Sequence, residues 1–265
     1  MLIDSHCHLD AAEFDADRAA VISAAVAAGI DRMVVPAVHR ETFVPVLRLS
    51  QQHPQCACAL GIHPMYVERS APEDLDALKT LLADPNVVAV GEIGLDFFVE
   101  GYDRALQEFY FIEQLKLAKV FDLPVILHVR RSIDVILKYL RIYKVCGGIA
   151  HAFNGSEQQA HEFIKLGFKL GFGGAMTYPR ATKLRQLASQ LPLEALVLET
   201  DAPDMAPEWL GHGRRNSPEQ LPRIAQVLAE LRGVEIAQII DMTGCNVLQA
   251  LPKLVHLCTP AHKSH

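Results

Sequence analysis

The regular alternation of short apolar segments with longer helical patterns is the feature that most constrains the fold of this chain. The apolar segments are rich in β-branched residues, which favour strands. They are apolar almost throughout instead of alternating, which is typical of parallel strands buried on both faces. Strands are therefore predicted at Leu2–His6, Arg32–Pro36, Cys56–His63, Val87–Ile93, Pro124–Val129, Gly147–Ala152, Phe168–Gly173 and Leu196–Thr200.

Helical patterns lie between the predicted strands, at Asp15–Ala28, Glu41–Gln52, Pro72–Ala83, Asp103–Phe121, Ser132–Tyr143, Ser156–Leu166 and Arg180–Gln190. A further helix is predicted to begin at Ser217-Pro218, with Ser217 as its N-cap, and a last helix covers Glu235–Ala250. Eight strands that alternate with helices predict an α/β protein with a (β/α)8 TIM barrel. An open doubly wound sheet is the alternative, but the chain has no Gly-x-Gly-x-x-Gly phosphate loop to support it.

The length of 265 residues is typical of one barrel, and no linker or low-complexity segment divides the chain. We therefore expect one domain over residues 1–265, in which residues 252–265 form a polar C-terminal tail. The net charge of −6 argues against tight, non-specific binding to duplex DNA, which needs many contacts from Lys and Arg to phosphate. No clear signal for an oligomer is present, and the chain is compatible with a monomer.

Cysteine content and hydropathy indicate where such a chain would be found. The six cysteines are scattered, without a Cys-x-x-Cys pair, and no signal peptide precedes the first predicted strand. Free thiols without a signal peptide predict a cytoplasmic protein. The longest apolar stretch, from Ala19 to Ile30, covers only 12 residues, so no membrane span is expected.

Polar residues cluster at the C-terminal ends of the predicted strands, which form the active-site mouth of a barrel. His6 and His8 are two residues apart and would face the same side of the first strand. Each polar residue has a simpler interpretation on its own, as a packed histidine or, for Asp201, a helix N-cap. Together they favour a metal site, and the residues concerned are His6, His8, His63, Glu92, His128, His151 and Asp201.

Four imidazoles and two carboxylates exceed what one four-coordinate zinc requires; they are His6, His8, His128, His151, Glu92 and Asp201. Two divalent metal ions bridged by the carboxylate of Glu92 would use them all. Such a pair would carry an excess of positive charge that attracts phosphate, and it would lower the pKa of a bound water towards ~7. Zinc suits the imidazole ligands, while Mg²⁺ or Mn²⁺ are alternatives as the working ion.

The motifs around these residues resemble the TatD family of metal-dependent deoxyribonucleases, which belongs to the amidohydrolase superfamily. The motifs are His6-x-His8, Gly91-Glu92-Ile93-Gly94-Leu95-Asp96, Leu123-Pro124-Val125-Ile126-Leu127-His128-Val129-Arg130, His151-Ala152-Phe153-Asn154-Gly155-Ser156, Glu199-Thr200-Asp201-Ala202-Pro203 and Arg215-Asn216-x-Pro218. The resemblance implies one metal held by His6, His8, Glu92 and Asp201, and a second held by Glu92, His128 and His151. The chain departs from the family pattern at Phe97, where Tyr is common, and at Asn154, where Ser is common. Both departures bear on the substrate pocket and not on the metals.

Three further roles are expected at the mouth. Asp201 would accept the proton of the attacking water as well as bind metal. His63 would donate to a phosphate oxygen or leaving group, or simply pack beside Pro64. Arg130 would grip a phosphate through its guanidinium, or form a salt bridge with Asp96 or Glu92.

Two local features complete the expectations for the mouth. The basic segment 211–216 is either a phosphate clamp or a surface loop, and Cys7 is expected to be a packed thiol. Aromatic residues that could stack on bases are Phe97, Phe98, Tyr102, Phe153, Tyr178 and Trp209.

The expected function is hydrolysis of a phosphodiester by a hydroxide activated between two metals, with single strands or 3′ ends of DNA as substrate. Glu92, Asp201, His63 and Arg130 are the expected catalytic residues. One alternative keeps the metals but breaks an ester, amide or lactone bond in a small molecule. A second alternative is a metal-bearing scaffold without catalytic activity.

Overall fold

The computed structural model describes residues 1–258 apart from the side chain of Cys258. Eight parallel strands form one sheet whose order follows the chain. They are β1 (Leu2–Asp4), β2 (Ile30–Pro36), β3 (Cys56–Leu60), β4 (Val87–Asp96), β5 (Val125–Arg130), β6 (Gly148–Ala150), β7 (Phe168–Phe172) and β8 (Leu196–Leu198). The predicted (β/α)8 TIM barrel is thereby confirmed.

Helices follow the strands and cover the outside of the sheet. They are α1 (Arg18–Ala27), α2 (Arg40–Gln52), α3 (Pro72–Leu81), α4 (Arg104–Val120), α5 (Ile133–Tyr143), α6 (Glu157–Lys165), α7 (Thr182–Gln190), α8 (Leu221–Arg232), α9 (Ile236–Ala250) and α10 (Lys253–Cys258). Short 3₁₀ helices lie at Ala12–Phe14, Pro64–Arg69, Gly174–Thr177, Leu193–Ala195 and Pro218–Gln220. None of the helices within residues 1–258 has the length and apolar character needed to cross a membrane.

The first and last strands meet just beyond their C-terminal ends. The backbone N–H of Ser5 donates to Leu198 at 3.0 Å, and that of Asp201 donates to His6 at 2.9 Å. The buried carboxylate of Asp4 accepts from both the hydroxyl and the backbone N–H of Thr200, at 2.6 and 3.0 Å. These bonds join the two ends of the sheet, so the barrel closes beside the candidate ligands.

Residues that alternate along the strands pack into two separate apolar clusters. The larger cluster contains side chains from strands and surrounding helices, whereas the smaller one contains residues from seven strands. Side chains from seven strands can pack into one cluster only if they face the interior of the barrel. In β5 the interior residue is Ile126, and in β6 it is Ile149. His128 and His151 follow these two residues at a spacing of two, so both histidines face inward at the mouth.

The base of the barrel is covered by the C-terminal helices. Leu251 and Leu254 are fully buried and pack with interior residues such as Ile3 and Val34. The expectation of a polar tail from residue 252 is therefore wrong for α10, because Leu254 buries apolar surface that would otherwise face water. Residues 259–265 of that expected tail lie outside the described residues.

Several predicted boundaries also need correction. β1 ends at Asp4 and β3 at Leu60, so His6, His8 and His63 lie in the segments that follow these strands. β4 is longer than expected and continues to Asp96, which places Glu92 inside a strand instead of at its end. Ser217 precedes a 3₁₀ turn and makes no side-chain capping bond, and the helix that was predicted to begin there begins at Leu221.

Gly148 shows how closely neighbouring strands approach. Its φ angle is +147°, a region that residues with a Cβ rarely adopt. A Cβ at this position would lie 1.9 Å from the carbonyl oxygen of Val125 in the adjacent strand. Any side chain at residue 148 would therefore force β5 and β6 apart.

We predict that Gly148→Ala lowers the free energy of unfolding by at least ~3 kcal/mol, the range of severe backbone and overpacking effects. Gly233→Ala is the matched control, since φ is +65° there and no atom lies within 4 Å of the added Cβ. The control should lose only ~1 kcal/mol for its left-handed backbone. Urea unfolding followed by circular dichroism measures both, and equal losses would contradict the steric explanation.

Candidate metal centre

The carboxylate of Glu92 lies at the centre of the buried polar residues. Its Oε2 atom is 3.2 Å from Nε2 of His6 and 3.4 Å from Nε2 of His8. Its Oε1 atom is 3.0 Å from Nδ1 of His128 and 3.5 Å from Nε2 of His63. One carboxylate thus faces two separate histidine pairs, one with each oxygen, which is the arrangement of a bridging ligand.

His6, His8 and Asp201 form one group of ligand atoms. The two Nε2 atoms are 3.2 Å apart, and Oδ1 of Asp201 is 3.6 Å from each of them. A tetrahedral zinc with bonds of about 2.0–2.1 Å would hold its ligand atoms roughly 3.3 Å apart. The donor atoms and their spacing therefore fit a divalent metal.

Glu92 belongs to two further groups of possible ligands, one with His63 and His128 and the other with His6 and His151. His63 was expected to act as a proton donor or to pack beside Pro64, and the structure brings it within ligand distance of the others. Its Nδ1 accepts from the backbone N–H of Met65 at 3.2 Å, which leaves Nε2 facing the carboxylate. The sequence places His63 at the end of the third predicted strand, whereas it lies three residues beyond the end of β3.

Two histidines of the cluster have a second carboxylate behind the imidazole. Nδ1 of His151 lies 3.1 Å from Oε1 of Glu199, and Nε2 of His128 lies 3.0 Å from Oδ2 of Asp96. A carboxylate on the outer nitrogen of a ligating histidine fixes the ring and raises its basicity. Glu199 and Asp96 were not among the site residues predicted from sequence, since a motif does not reveal which buried partner a carboxylate contacts.

The pKa values indicate that the carboxylates of the cluster favour protonation of the histidines beside them. Burial raises the pKa of Glu92, but the surrounding imidazoles outweigh it and hold the pKa well below its usual range. Burial lowers the pKa of His8, yet the hydrogen bond and charge of Glu92 raise it to about 9. Burial likewise lowers the pKa of His151, and the charges of Glu199 and Asp201 raise it to about 10. A metal ion that binds the nitrogens of these imidazoles would displace the protons.

His6 and Asp201 complete this electrostatic pattern. Burial and the charge of His151 hold the pKa of His6 well below its usual value, so its ring is a neutral imidazole suited to ligation. Burial raises the pKa of Asp201 to about 6, against the opposing charges of His151 and His8. The raised pKa of Asp201 means that its ionisation is disfavoured, as expected where the buried site lacks enough positive charge to stabilise a further carboxylate.

The cluster is accessible from one side only. Side-chain exposure is 0% for His6 and 2% for Glu92, but 18% for His8, 17% for His128 and 14% for Asp201. A substrate at the mouth therefore meets His8, His128 and Asp201 first. Cys7 lies on the other side of the chain, fully buried beside the carbonyl oxygen of Val34, and is the packed thiol that was expected.

Arg130 makes neither of the salt bridges considered from sequence. Its guanidinium lies over the ring of Phe98, 3.8 Å from the centroid, and Arg131 lies 4.5 Å from the same centroid. Asp96 is instead engaged by His128, and Glu92 is enclosed by histidines. The guanidinium of Arg130 is therefore exposed beside the metal ligands without a carboxylate partner among residues 1–258.

Residues 212–215 of the basic segment 211–216 line a cavity of about 760 Å³ next to the loop that follows Asp201. Tyr178 is in its wall, with His212 stacked on the ring. Of the other aromatic candidates, Phe153 is buried in the core and Trp209 donates to Gln220. Arginines accompany Phe98 and Tyr178, and also Phe97 and Trp209, which lie against Arg104 and Arg223.

Comparison with known proteins assigns the chain to a family. The family model for TatD related DNase matches residues 3–252. The metal-dependent hydrolase YjjV of Escherichia coli K12 is 44% identical over 244 residues, covering 90% of this chain and 94% of that protein. The 3′-5′ ssDNA/RNA exonuclease TatD of Klebsiella pneumoniae is 33% identical, covering 93% of this chain and 96% of that protein.

A solved structure gives the same result for the fold. The crystal structure of the TatD homologue YjjV from Escherichia coli K12 matches with a TM-score of 0.91 and 42% sequence identity. The match covers 95% of this chain and 98% of the YjjV chain. The chain is therefore a member of the TatD family of metal-dependent hydrolases.

Proposed function

We propose that this hydrolase cleaves phosphodiester bonds, with the ends of single-stranded nucleic acid as its substrate. The observation that carries the proposal is the position of Glu92, whose two carboxylate oxygens face different histidine pairs. A carboxylate shared in this way suits two divalent ions about 3.5–4 Å apart, an arrangement common in enzymes that cleave phosphate esters. The name of the Klebsiella pneumoniae relative, a 3′-5′ ssDNA/RNA exonuclease, supports the same substrate class.

The proposed ligands of one metal are His6, His8, Glu92 and Asp201. For the second we propose Glu92, His128 and His151. His63 is a further candidate, because it forms a group with Glu92 and His128 whereas His151 groups with Glu92 and His6. Imidazole-rich ligands favour zinc, and the carboxylates also accept Mg²⁺ or Mn²⁺. When bound, the metals supply a water of lowered pKa and neutralise charge on the phosphate oxygens.

The protein's own residues have distinct tasks in this proposal. Asp201 is partly exposed at the mouth, so its carboxylate is placed to accept the proton of the attacking water. Arg130 would bind a non-bridging phosphate oxygen, since its guanidinium is exposed and has no carboxylate partner in the described part of the chain. Glu199 and Asp96 would act as positioning residues that orient His151 and His128.

The acidic overall charge is consistent with ends or short single strands instead of long duplex tracts. A substrate end presents few phosphates, so it needs positive charge only at the mouth. The proposal therefore predicts hydrolysis that starts at ends of a linear strand and is slow on a closed circular one.

Glu92→Gln should abolish phosphodiester hydrolysis and release bound metal, because an amide keeps the shape but cannot carry the shared negative charge. Metal content is measured by inductively coupled plasma mass spectrometry, and turnover with bis(p-nitrophenyl) phosphate and a single-stranded oligonucleotide. Glu157→Gln, at an exposed carboxylate on α6, is the control and should change neither. Full activity of Glu92→Gln would contradict the mechanism. Turnover of ester or lactone substrates without phosphodiester turnover would contradict the substrate class.

Arg130→Ala should lower kcat/KM for a phosphodiester by about 10- to 100-fold, since a hydrogen bond to a charged group contributes about 1.5–3 kcal/mol. Arg130→Lys should recover part of the loss because it restores the charge but not the planar pair of donors. Arg48→Ala removes an exposed arginine on α2 and serves as the control. Steady-state kinetics on the oligonucleotide decide the question, and equal rates for all three variants would exclude a role for Arg130.

Glu199→Gln should weaken metal affinity by about 10- to 100-fold, the usual cost of losing a carboxylate behind a ligating histidine. The hydrogen bond from the backbone N–H of Ala152 to Glu199, at 2.6 Å, can persist with an amide oxygen, so the fold should be retained. Competition with a chromogenic chelator measures the affinity directly. Unchanged affinity in a folded variant would show that Glu199 does not support the ligand.

A further inference from the structure

We propose that the cavity beside the metal centre, lined by Tyr178, Arg180, His212 and Arg214, binds a nucleotide of the substrate next to the one whose phosphodiester is cleaved. The inference rests on the proposed phosphodiesterase function and assigns part of the substrate to a second site. The cavity has a volume of about 760 Å³, which is in the range of small-molecule pockets. A nucleotide unit therefore fits within it.

The cavity is connected to the metal centre through one tight loop. Pro203, Asp204 and Met205 line the cavity and follow the ligand Asp201 directly in the chain. The backbone N–H of Asp204 donates to Asp201 at 2.8 Å, which holds the loop in a tight turn. A Cβ on Gly174 would lie 2.1 Å from the carbonyl oxygen of Met205, so the loop packs directly on the segment after β7. The cavity thus lies beside the loop that leaves the proposed ligand Asp201.

A rigid aromatic face is present in the cavity. The rings of Tyr178 and His212 are stacked, with centroids 4.4 Å apart and an angle of 14° between their planes. The hydroxyl of Tyr178 donates to the carbonyl oxygen of Ala206 at 3.0 Å, which fixes the position of the Tyr178 ring. His212 is exposed and contacts the guanidinium of Arg180 through Nε2. The outer face of the His212 ring is therefore available for stacking with a base.

Two cations in this cavity have no carboxylate partner in the described part of the chain. Arg215 is paired with Asp17 by two hydrogen bonds, at 2.9 and 2.6 Å. Arg180 and Arg214 are exposed, and neither forms an ion pair within residues 1–258. Unpaired guanidiniums at the edge of an aromatic face match the phosphate of a nucleotide whose base is stacked.

Two acceptors also line the cavity, the carboxylates of Glu13 and Asp204. They disfavour a simple anion and leave the cavity close to electrically neutral. A nucleotide carries donors as well as negative charge, namely sugar hydroxyls and base amino groups. The combination of stacking face, guanidiniums and carboxylates therefore fits a nucleotide better than free phosphate.

The test measures binding without turnover. The probe is a fluorescein-labelled single-stranded hexanucleotide of deoxyadenosine with phosphorothioate linkages, and its affinity is followed by fluorescence anisotropy at several salt concentrations. His212→Ala should weaken binding about 5- to 100-fold, the usual effect of removing one stacking partner. His212→Phe should restore the affinity to within about threefold, because stacking needs only an aromatic face.

Arg180→Ala/Arg214→Ala should weaken binding and reduce the slope of log affinity against log salt by about 0.7 for each phosphate that an arginine no longer neutralises. Arg48→Ala/Arg141→Ala is the matched control, since it removes two exposed arginines far along the chain from the cavity. The control should leave both affinity and slope unchanged. Metal content of every variant verifies that the metal centre is intact.

Three results would overturn the proposal. They are an oligonucleotide affinity that His212→Ala and the cavity double variant leave unchanged, equal losses in the control pair, and no rescue by His212→Phe. Turnover of bis(p-nitrophenyl) phosphate by the wild-type protein tests the phosphodiesterase function separately. If that turnover is absent while the variants alter binding as expected, the proposed function fails and the nucleotide site stands.

Discussion

The contact between β1 and β8 is the constraint on which the rest of the site depends. His6 and His8 follow the first strand and Asp201 follows the last, so almost two hundred residues separate them. They come together only because Ser5 bonds to Leu198 and Asp201 bonds to His6 through the backbone. The buried pair of Asp4 and Thr200 reinforces this junction, because an unpaired carboxylate there would be costly. A metal held by residues from both strands would stabilise the same closure, which couples metal affinity to folding.

Much of this arrangement could be predicted from sequence because it follows from periodicity. Strands buried on both faces are apolar throughout, and the spacing of two from Ile126 to His128 and from Ile149 to His151 sets which side chains face the interior. The ends of elements were harder to predict. β4 continues to Asp96 because its distal residues pair with β5, as Gly94 does with His128, and pairing is invisible in a single segment.

The roles of partners behind the ligands could not be predicted, since they depend on contacts between distant segments. From the sequence, Asp96 is a possible salt-bridge partner for Arg130. In the structure its carboxylate contacts the imidazole of His128 instead. Arg130 is then left to lie over Phe98. Glu199 and His151 likewise follow different strands, β8 and β6, with β7 between them, and the absence of a side chain at Gly171 gives the carboxylate its room. In each case several nearby groups could form the hydrogen bond, and the packing of the folded barrel determines which of them does.

The distribution of charge at the mouth reconciles an acidic chain with a polyanionic substrate. Most arginines on the surface of a protein this acidic could be neutralised by neighbouring carboxylates, as Arg215 is by Asp17. The arginines beside Phe98 and beside Tyr178 are not, and they lie on different sides of the metal ligands, after β5 and around the loops after β7 and β8. In the proposed function, a strand of several nucleotides would contact both clusters, whereas a small phosphodiester would not span them. If the proposed function holds, selection for a strand over a small ester would arise from the separation of the clusters and would need no net positive charge.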